Sequence, residues 1–237
     1  MRYNPHGDQD GYHRKSEHKF WKYTEYAISP EDIQPYWILC VRSKSFLSAG
    51  IILFEGVEGK RAWLSHTGQV IPKDGKLVVS ESCFPTHKYT PIEEYFEEQE
   101  KGKCRLTWVR INPLLWPSEK IKREAEEECL AYHLLREGMK YPPINLFPMA
   151  GVSIIRQVFP FVKKDHWNKY IPPEALDDER VCSAEVACGW SWAEYILEKV
   201  LFPASLSMVF PSPQDIFDSP HTEFMGGFIK EYKRSKK

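Results

Sequence analysis

Two short segments of this chain carry the residue types for thiol chemistry. One is Trp63-Leu64-Ser65-His66-Thr67-Gly68-Gln69-Val70-Ile71, which puts a histidine on a predicted strand. The other is Arg180-Val181-Cys182-Ser183-Ala184-Glu185-Val186, which puts a cysteine at the start of a predicted helix. A helix N-terminus favours the thiolate form of a cysteine placed there. A histidine brought beside it holds the ion pair and carries the proton. Attack of such a thiolate on an amide or ester carbonyl gives an acyl-enzyme that water then cleaves. The orienting group for the imidazole is Glu81, at the end of the next predicted strand, and facing hairpin strands share a face. Ser80 and Ser82 flank it, so a slip of one residue stays open.

The elements that must position these groups are readable in part. Tyr36 to Val41 reads as a buried strand, and Gly50 to Glu55 and Ala62 to Ile71 as two further apolar runs. Lys73-Asp74-Gly75-Lys76 is a hairpin turn, since Asp-Gly takes positive φ readily. Leu77 to Ser82 is its partner strand. Thr90-Pro91 starts a short helix, with proline at the first helical position. Cys104 to Ile111 alternates as a strand. Ser118 caps a helix to about Glu137, stopped by Gly138. Positions 182, 186, 190, 193, 197 and 201 are Cys, Val, Trp, Ala, Leu and Leu, one face of a helix that Phe202-Pro203 ends. Residues 1 to about 34 read as an arm, or as a short helix around Ser16 to Tyr26. Residues 139 to 180 read as a long irregular excursion with a helix from Val152 to Phe159, and 211 to 220 as a turn-rich closing segment.

Composition narrows the classes. The chain has 237 residues, 42% of them hydrophobic and 14% aromatic, enough for a substantial core. A formal net charge of -1 gives no global electrostatic case for nucleic acid or membrane surfaces. The basic end, Lys230 to Lys237, reads as a solvated tail. No run approaches the ~20 apolar residues of a membrane span, and Met1 to Lys22 lacks the apolar core of a signal peptide. The six scattered cysteines fit free thiols in a reducing compartment, and no Cys-x-x-Cys spacing occurs. Cys83 and His87 lie four apart in a predicted loop, but no further ligands at metal-like spacing support a metal pair there. No metal and no cofactor is expected.

The order of these motifs resembles the permuted NlpC/P60 branch of the papain-like fold, the YiiX/YebB-like proteins with poxvirus and lecithin:retinol acyltransferase-like relatives. In that branch the cysteine helix follows the histidine strand. The resemblance covers about residues 36 to 220. Ser65-His66 matches the "SH" before an apolar strand, Leu77 to Ser82 the strand ending near an acid, and Arg105 to Arg110 the strand after it. Gly138 to Tyr141 matches the "G-k-p-Y-D" element, Cys182-Ser183 "C-S-E-L-V", and Pro211 to Ile216 the closing "tP-x-D-l". Pro142 stands where the family often has Asp, and Glu185 comes three residues after the cysteine rather than two.

The resemblance implies an α+β, circularly permuted papain-like fold: an antiparallel sheet or open barrel packed on the helix that bears the nucleophile. The domain would span 36-220, after an arm (1-35) and before a basic tail (221-237). It implies a cysteine hydrolase, a peptidase or amidase, with Cys182, His66 and Glu81 as catalytic residues. The backbone N–H of Cys182 is a natural oxyanion donor, with Tyr141 and Ser183 as further oxyanion or substrate candidates. Substrates would be peptides, isopeptides or acyl amides, peptidoglycan-type peptides among them. The expected setting is cytoplasmic or particle-associated. The alternative is a catalytically idle papain-like module in a phage or viral particle, docking through the N-terminal arm.

Overall fold

Asp74 and Gly75 take φ of 51° and 75° and close a two-residue hairpin between β4 (His66–Lys73) and β5 (Lys76–Glu81). That geometry matches the right-handed twist of the flanking strands, which is why Asp-Gly marks it in the sequence. Around this hairpin the computed structural model describes residues 13–18, 21–44, 64–83, 86–140, 182–196 and 213–230. Within them lie β1 (His13–His18), β2 (Trp21–Tyr26), β3 (Ile38–Ser43), β6 (Lys88–Pro91), α1 (Ile92–Glu100) and β7 (Cys104–Ile111). Then follow α2 (Glu119–Leu134), α3 (Cys182–Ile196), α4 (Pro213–Asp218) and β8 (Thr222–Lys230).

The architecture is α+β. The eight strands form one sheet in the order β1-β2-β8-β7-β3-β4-β5-β6, antiparallel at every pairing. Strand β3 is covered on both faces, so Ile38 to Val41 read as a continuous apolar run. Ile38 and Cys40 of β3 enter one core with Val186, Ala187, Trp190 and Ala193 of α3, Ala125 and Cys129 of α2, and Ile216 of α4. Leu39 and Val41 enter the other, with Leu106 and Trp108 of β7 and Ile92 and Tyr95 of α1. Alternation along a strand produces the split.

Helix α3 presents Cys182, Val186, Trp190 and Ala193 inward, as the spacing predicts. A hydrogen bond fixes its register against the sheet. Trp190 Nε1 donates to Gln69 Oε1 at 3.0 Å, and Gln69 Nε2 donates to the Trp37 carbonyl at 3.1 Å. Gln69 is fully buried, and both ends of its amide are satisfied. The Ser118 hydroxyl accepts from Ile121 N and caps α2, as expected, but the helix ends at Leu134, three residues before Glu137.

Several expectations are corrected. The segment read as an arm, or as a helix around Ser16 to Tyr26, holds the strands β1 and β2, which pair antiparallel, and β2 pairs with β8. Their polar alternation suits a sheet margin, and the pattern carries no strong turn signal. Residues 222–230, read as the start of a basic tail, form β8 between β2 and β7. Phe228 packs into the core there, a contribution masked by the neighbouring lysines. Residues 213–218 of the turn-rich segment are helical. Thr90-Pro91 belongs to β6, and α1 begins one residue later. The run Gly50 to Glu55, the excursion with its Val152 to Phe159 helix, Tyr141 and Phe202-Pro203 lie outside the described residues.

Candidate functional site

His66 opens β4 and Glu81 closes β5. The β4–β5 register pairs Gln69 with Ser80, which puts Gly68 opposite Glu81 and His66 one diagonal step away on the same face. An added Cβ at Gly68 would lie 2.3 Å from Val79 Cγ1 and 3.4 Å from Glu81 Cβ. The missing side chain is what lets the carboxylate reach along the strand to the imidazole. His66 Nε2 meets Glu81 Oε2 at 2.5 Å. Neither flanking serine takes this place.

Glu81 is held from three further sides. The Tyr95 hydroxyl of α1 donates to Oε2 at 2.5 Å, and the Thr90 hydroxyl of β6 donates to Oε1. Lys88, directly across from Glu81 in β6, brings its Nζ to 3.5 Å from Oε1. Burial alone would raise the carboxyl. The bonds and charge of His66, then the Thr90 and Tyr95 hydroxyls, outweigh it and bring the pKa to about 2. Glu81 is 3% exposed, so it is an ionised carboxylate fixed in orientation.

Nε2 faces Glu81, and the other group that acts on His66 is the Cys182 side chain, by its charge and by a side-chain hydrogen bond. Cys182 is the first described residue of α3 and is 8% exposed. Burial works against the imidazolium. A negative Cys182 sulfur, the bond to Cys182 and the contact with Glu81 together raise the His66 pKa well above its ordinary value. His66 keeps 21% of its side chain exposed, an opening from the site to solvent. It is also where the two cores meet: one bond goes to a carboxylate anchored by α1, the other to a thiol carried by α3.

The other thiols are distinct. Cys40 is fully buried, its pKa pushed up by burial and by the nearby Cys182. Cys104 is pushed up to about 11, mainly by burial. Cys83 is half-buried, and burial, Glu81 and Cys182 raise its pKa, so it is less acidic than an ordinary thiol although Lys88 and His66 pull the other way. Its Sγ donates to the Thr86 carbonyl, while His87 turns to Ser80. Cys83 and His87 thus turn to different partners. Among the described residues no group of three His, Cys, Asp or Glu side chains is arranged to hold a metal ion.

The sequence located His66, Glu81 and Cys182, and the fold brings all three together. Tyr141 lies outside the described residues. Ser183 lies on α3 beside Cys182. Sequence reasoning missed Thr90 and Tyr95. Tyr95 sits on the apolar face of α1, so its pattern speaks of core, and its polar tip finds Glu81 only through tertiary packing.

No protein-family model matches the chain, and no curated protein matches it. Among solved structures, the metalloprotein YiiX from Escherichia coli O157:H7 is similar at 20% identity and a TM-score of 0.49, over 84% of this chain and 98% of that one. No helix among the described residues is long and apolar enough to cross a membrane.

Proposed function

We propose that this chain is a cysteine hydrolase of the permuted NlpC/P60, papain-like type, cleaving the amide bond of a peptide, isopeptide or acyl amide. The observation that carries the reading is the double engagement of His66, by an anchored Glu81 at Nε2 and by the Cys182 side chain. The Cys182 thiolate attacks the carbonyl carbon, and the carbonyl electrons move to oxygen. The backbone N–H of Cys182, in the first described turn of α3, is the natural donor to the developing oxyanion, since the first N–H groups of a helix are its available donors. His66 gives its proton to the leaving amine as the tetrahedral species collapses to a thioester. Water then attacks, His66 takes its proton, and the acid is released with the thiolate restored. Glu81 holds the ring and stabilises the imidazolium without taking the proton. Peptidoglycan-type peptides are the substrates that the sequence resemblance brings forward.

The idle-module alternative implies a thiol out of reach of the imidazole, and the Cys182–His66 bond speaks against it. The test is carbamidomethylation of native protein by iodoacetamide from pH 5 to 9, with peptide mapping, in wild type and His66→Ala. Cys182 is expected to react well below pH ~8.5, the ordinary thiol range, and to lose that reactivity in His66→Ala. A Cys182 that is inert, or no faster than Cys83, overturns the hydrolase reading and leaves the idle module.

A further inference from the structure

On the opposite face of β5 from Glu81 lies a polar cluster that the proposed chemistry does not use. Ser80 immediately precedes Glu81, so its side chain points the other way. Its hydroxyl lies 3.0 Å from His87 Nε2 and 2.9 Å from His133 Nδ1. All three side chains are buried, Ser80 and His133 completely. They come from three places: β5, the connection before β6, and the last turn of α2. A fourth element closes the cluster. An added Cβ at Gly189 of α3 would lie 2.6 Å from His133 Nε2, so the helix that carries Cys182 packs its backbone directly on this imidazole. Gly189 is two turns beyond Cys182.

The hydrogen-bond arithmetic is tight. A serine hydroxyl has one proton. Between two neutral imidazoles it donates to one and accepts from the other. The outer nitrogens, His87 Nδ1 and His133 Nε2, find no hydrogen-bond partner among the described residues. An added proton on His133 would therefore face the backbone of α3, where nothing accepts it. The charged groups around the cluster do little to help. Arg136, itself buried, opposes protonation of both rings, and Lys73 opposes it at His87. Glu81 and Glu137 favour it at His87 only. Tyr89 stands edge-on to His87 and donates its hydroxyl to the His133 carbonyl. Cys129 lines the same contact with Gly189. Burial, then these charges, brings His87 to about 4, and burial, His87 and Arg136 bring His133 to about 3.

We infer that the Ser80–His87–His133 cluster is an acid-sensitive latch: with both rings neutral it holds α3 against the sheet, and proton uptake releases the helix and withdraws Cys182 from His66. This regulates the site of the preceding section and rests on that reading for its effect on catalysis. The sign follows from the pKa directions. Both histidines titrate lower latched than free, so the latch is intact above the free value of ~6.5. It weakens as pH falls from there towards the latched values. With two protons taken up, the latched-to-released ratio drops about 100-fold per pH unit.

The test compares wild type with His87→Gln/His133→Asn. Glutamine places an amide where Nε2 was and asparagine where Nδ1 was, so both bonds to Ser80 survive without a titrating ring. Two readouts are followed from pH 7 to 4: hydrogen exchange of the α3 amides, corrected for intrinsic rates, and iodoacetamide labelling of Cys182. Wild type is expected to open α3 steeply in acid, with Cys182 losing its fast labelling in the same range. The double variant is expected to keep α3 protected across it. If the double variant does not fold, His87→Gln alone must halve the proton uptake of the transition. An unchanged midpoint and slope in either variant overturns the latch. A latch that behaves as expected while Cys182 labelling ignores His66→Ala overturns the hydrolase reading alone.

Discussion

At the scale of the residue, Glu81 is the group on which the site depends. It accepts from His66, Tyr95 and Thr90 while 3% exposed, so every donor that reaches it is tuned to a carboxylate. Glu81→Gln replaces an acceptor with a group that must turn an NH2 toward donors. Breaking a buried ion pair from one side costs about 3–5 kcal/mol, and urea denaturation at pH 7 is expected to show a loss of that size. The difference from wild type is expected to be full above pH ~4.5. It narrows as pH falls towards about 2, where the native Glu81 itself takes up a proton. Without the carboxylate, His66 also loses a contact that raises its pKa. Labelling of Cys182 at pH 6 is therefore expected to slow. An unchanged labelling rate in a folded Glu81→Gln protein would remove Glu81 from the site.

At the scale of the element, the β4–β5 hairpin does the positioning. Its turn is local chemistry, but its use as a platform depends on Gly68. Gly68→Ala forces a methyl against Val79 and against the Ser80 carbonyl, 3.2 Å away, beside the Glu81 Cβ. Overpacking of this kind costs about 1–3 kcal/mol. The shift is expected at the diagonal between His66 and Glu81, so Cys182 labelling should fall by more than the loss of folded protein explains. A variant that loses stability yet labels Cys182 at the wild-type rate would show Gly68 to be a packing residue only. The α3 helix is placed in a different way. Its period of apolar residues says which face is inward, and the Trp190–Gln69 bond says where along β4 that face sits. The first was legible in the sequence. The second pairs residues 121 positions apart and has no local sign.

At the scale of the whole molecule, three buried titratable side chains, Glu81, His87 and His133, make stability fall on the acid side. For the two histidines the unfolded chain binds protons near pH ~6.5 while the native chain does so near 4 and 3. Between pH 7 and pH 5 these two rings are expected to lower the unfolding free energy by about 4 kcal/mol, partly offset by His66, whose raised pKa works in the opposite direction. Urea denaturation at the two pH values checks this, and a flat profile would mean that the two rings are not held neutral in the fold. What the sequence by itself determined is what short-range rules govern: the Asp74-Gly75 turn through allowed φ, the Ser118 cap through an orphan N–H, and the α3 face through the helical period. It also marked His66, Glu81 and Cys182, because their residue types and order are informative without coordinates. The tertiary structure alone decided that β8 lies inside the sheet, that Tyr95 and Thr90 anchor Glu81, and that Ser80 joins two histidines, one of them packed on α3. Each of these joins groups distant in the chain through strand register or packing across a core. Neither leaves a periodic trace, because any residue of suitable size and polarity satisfies the local pattern, and only its partner reveals its part.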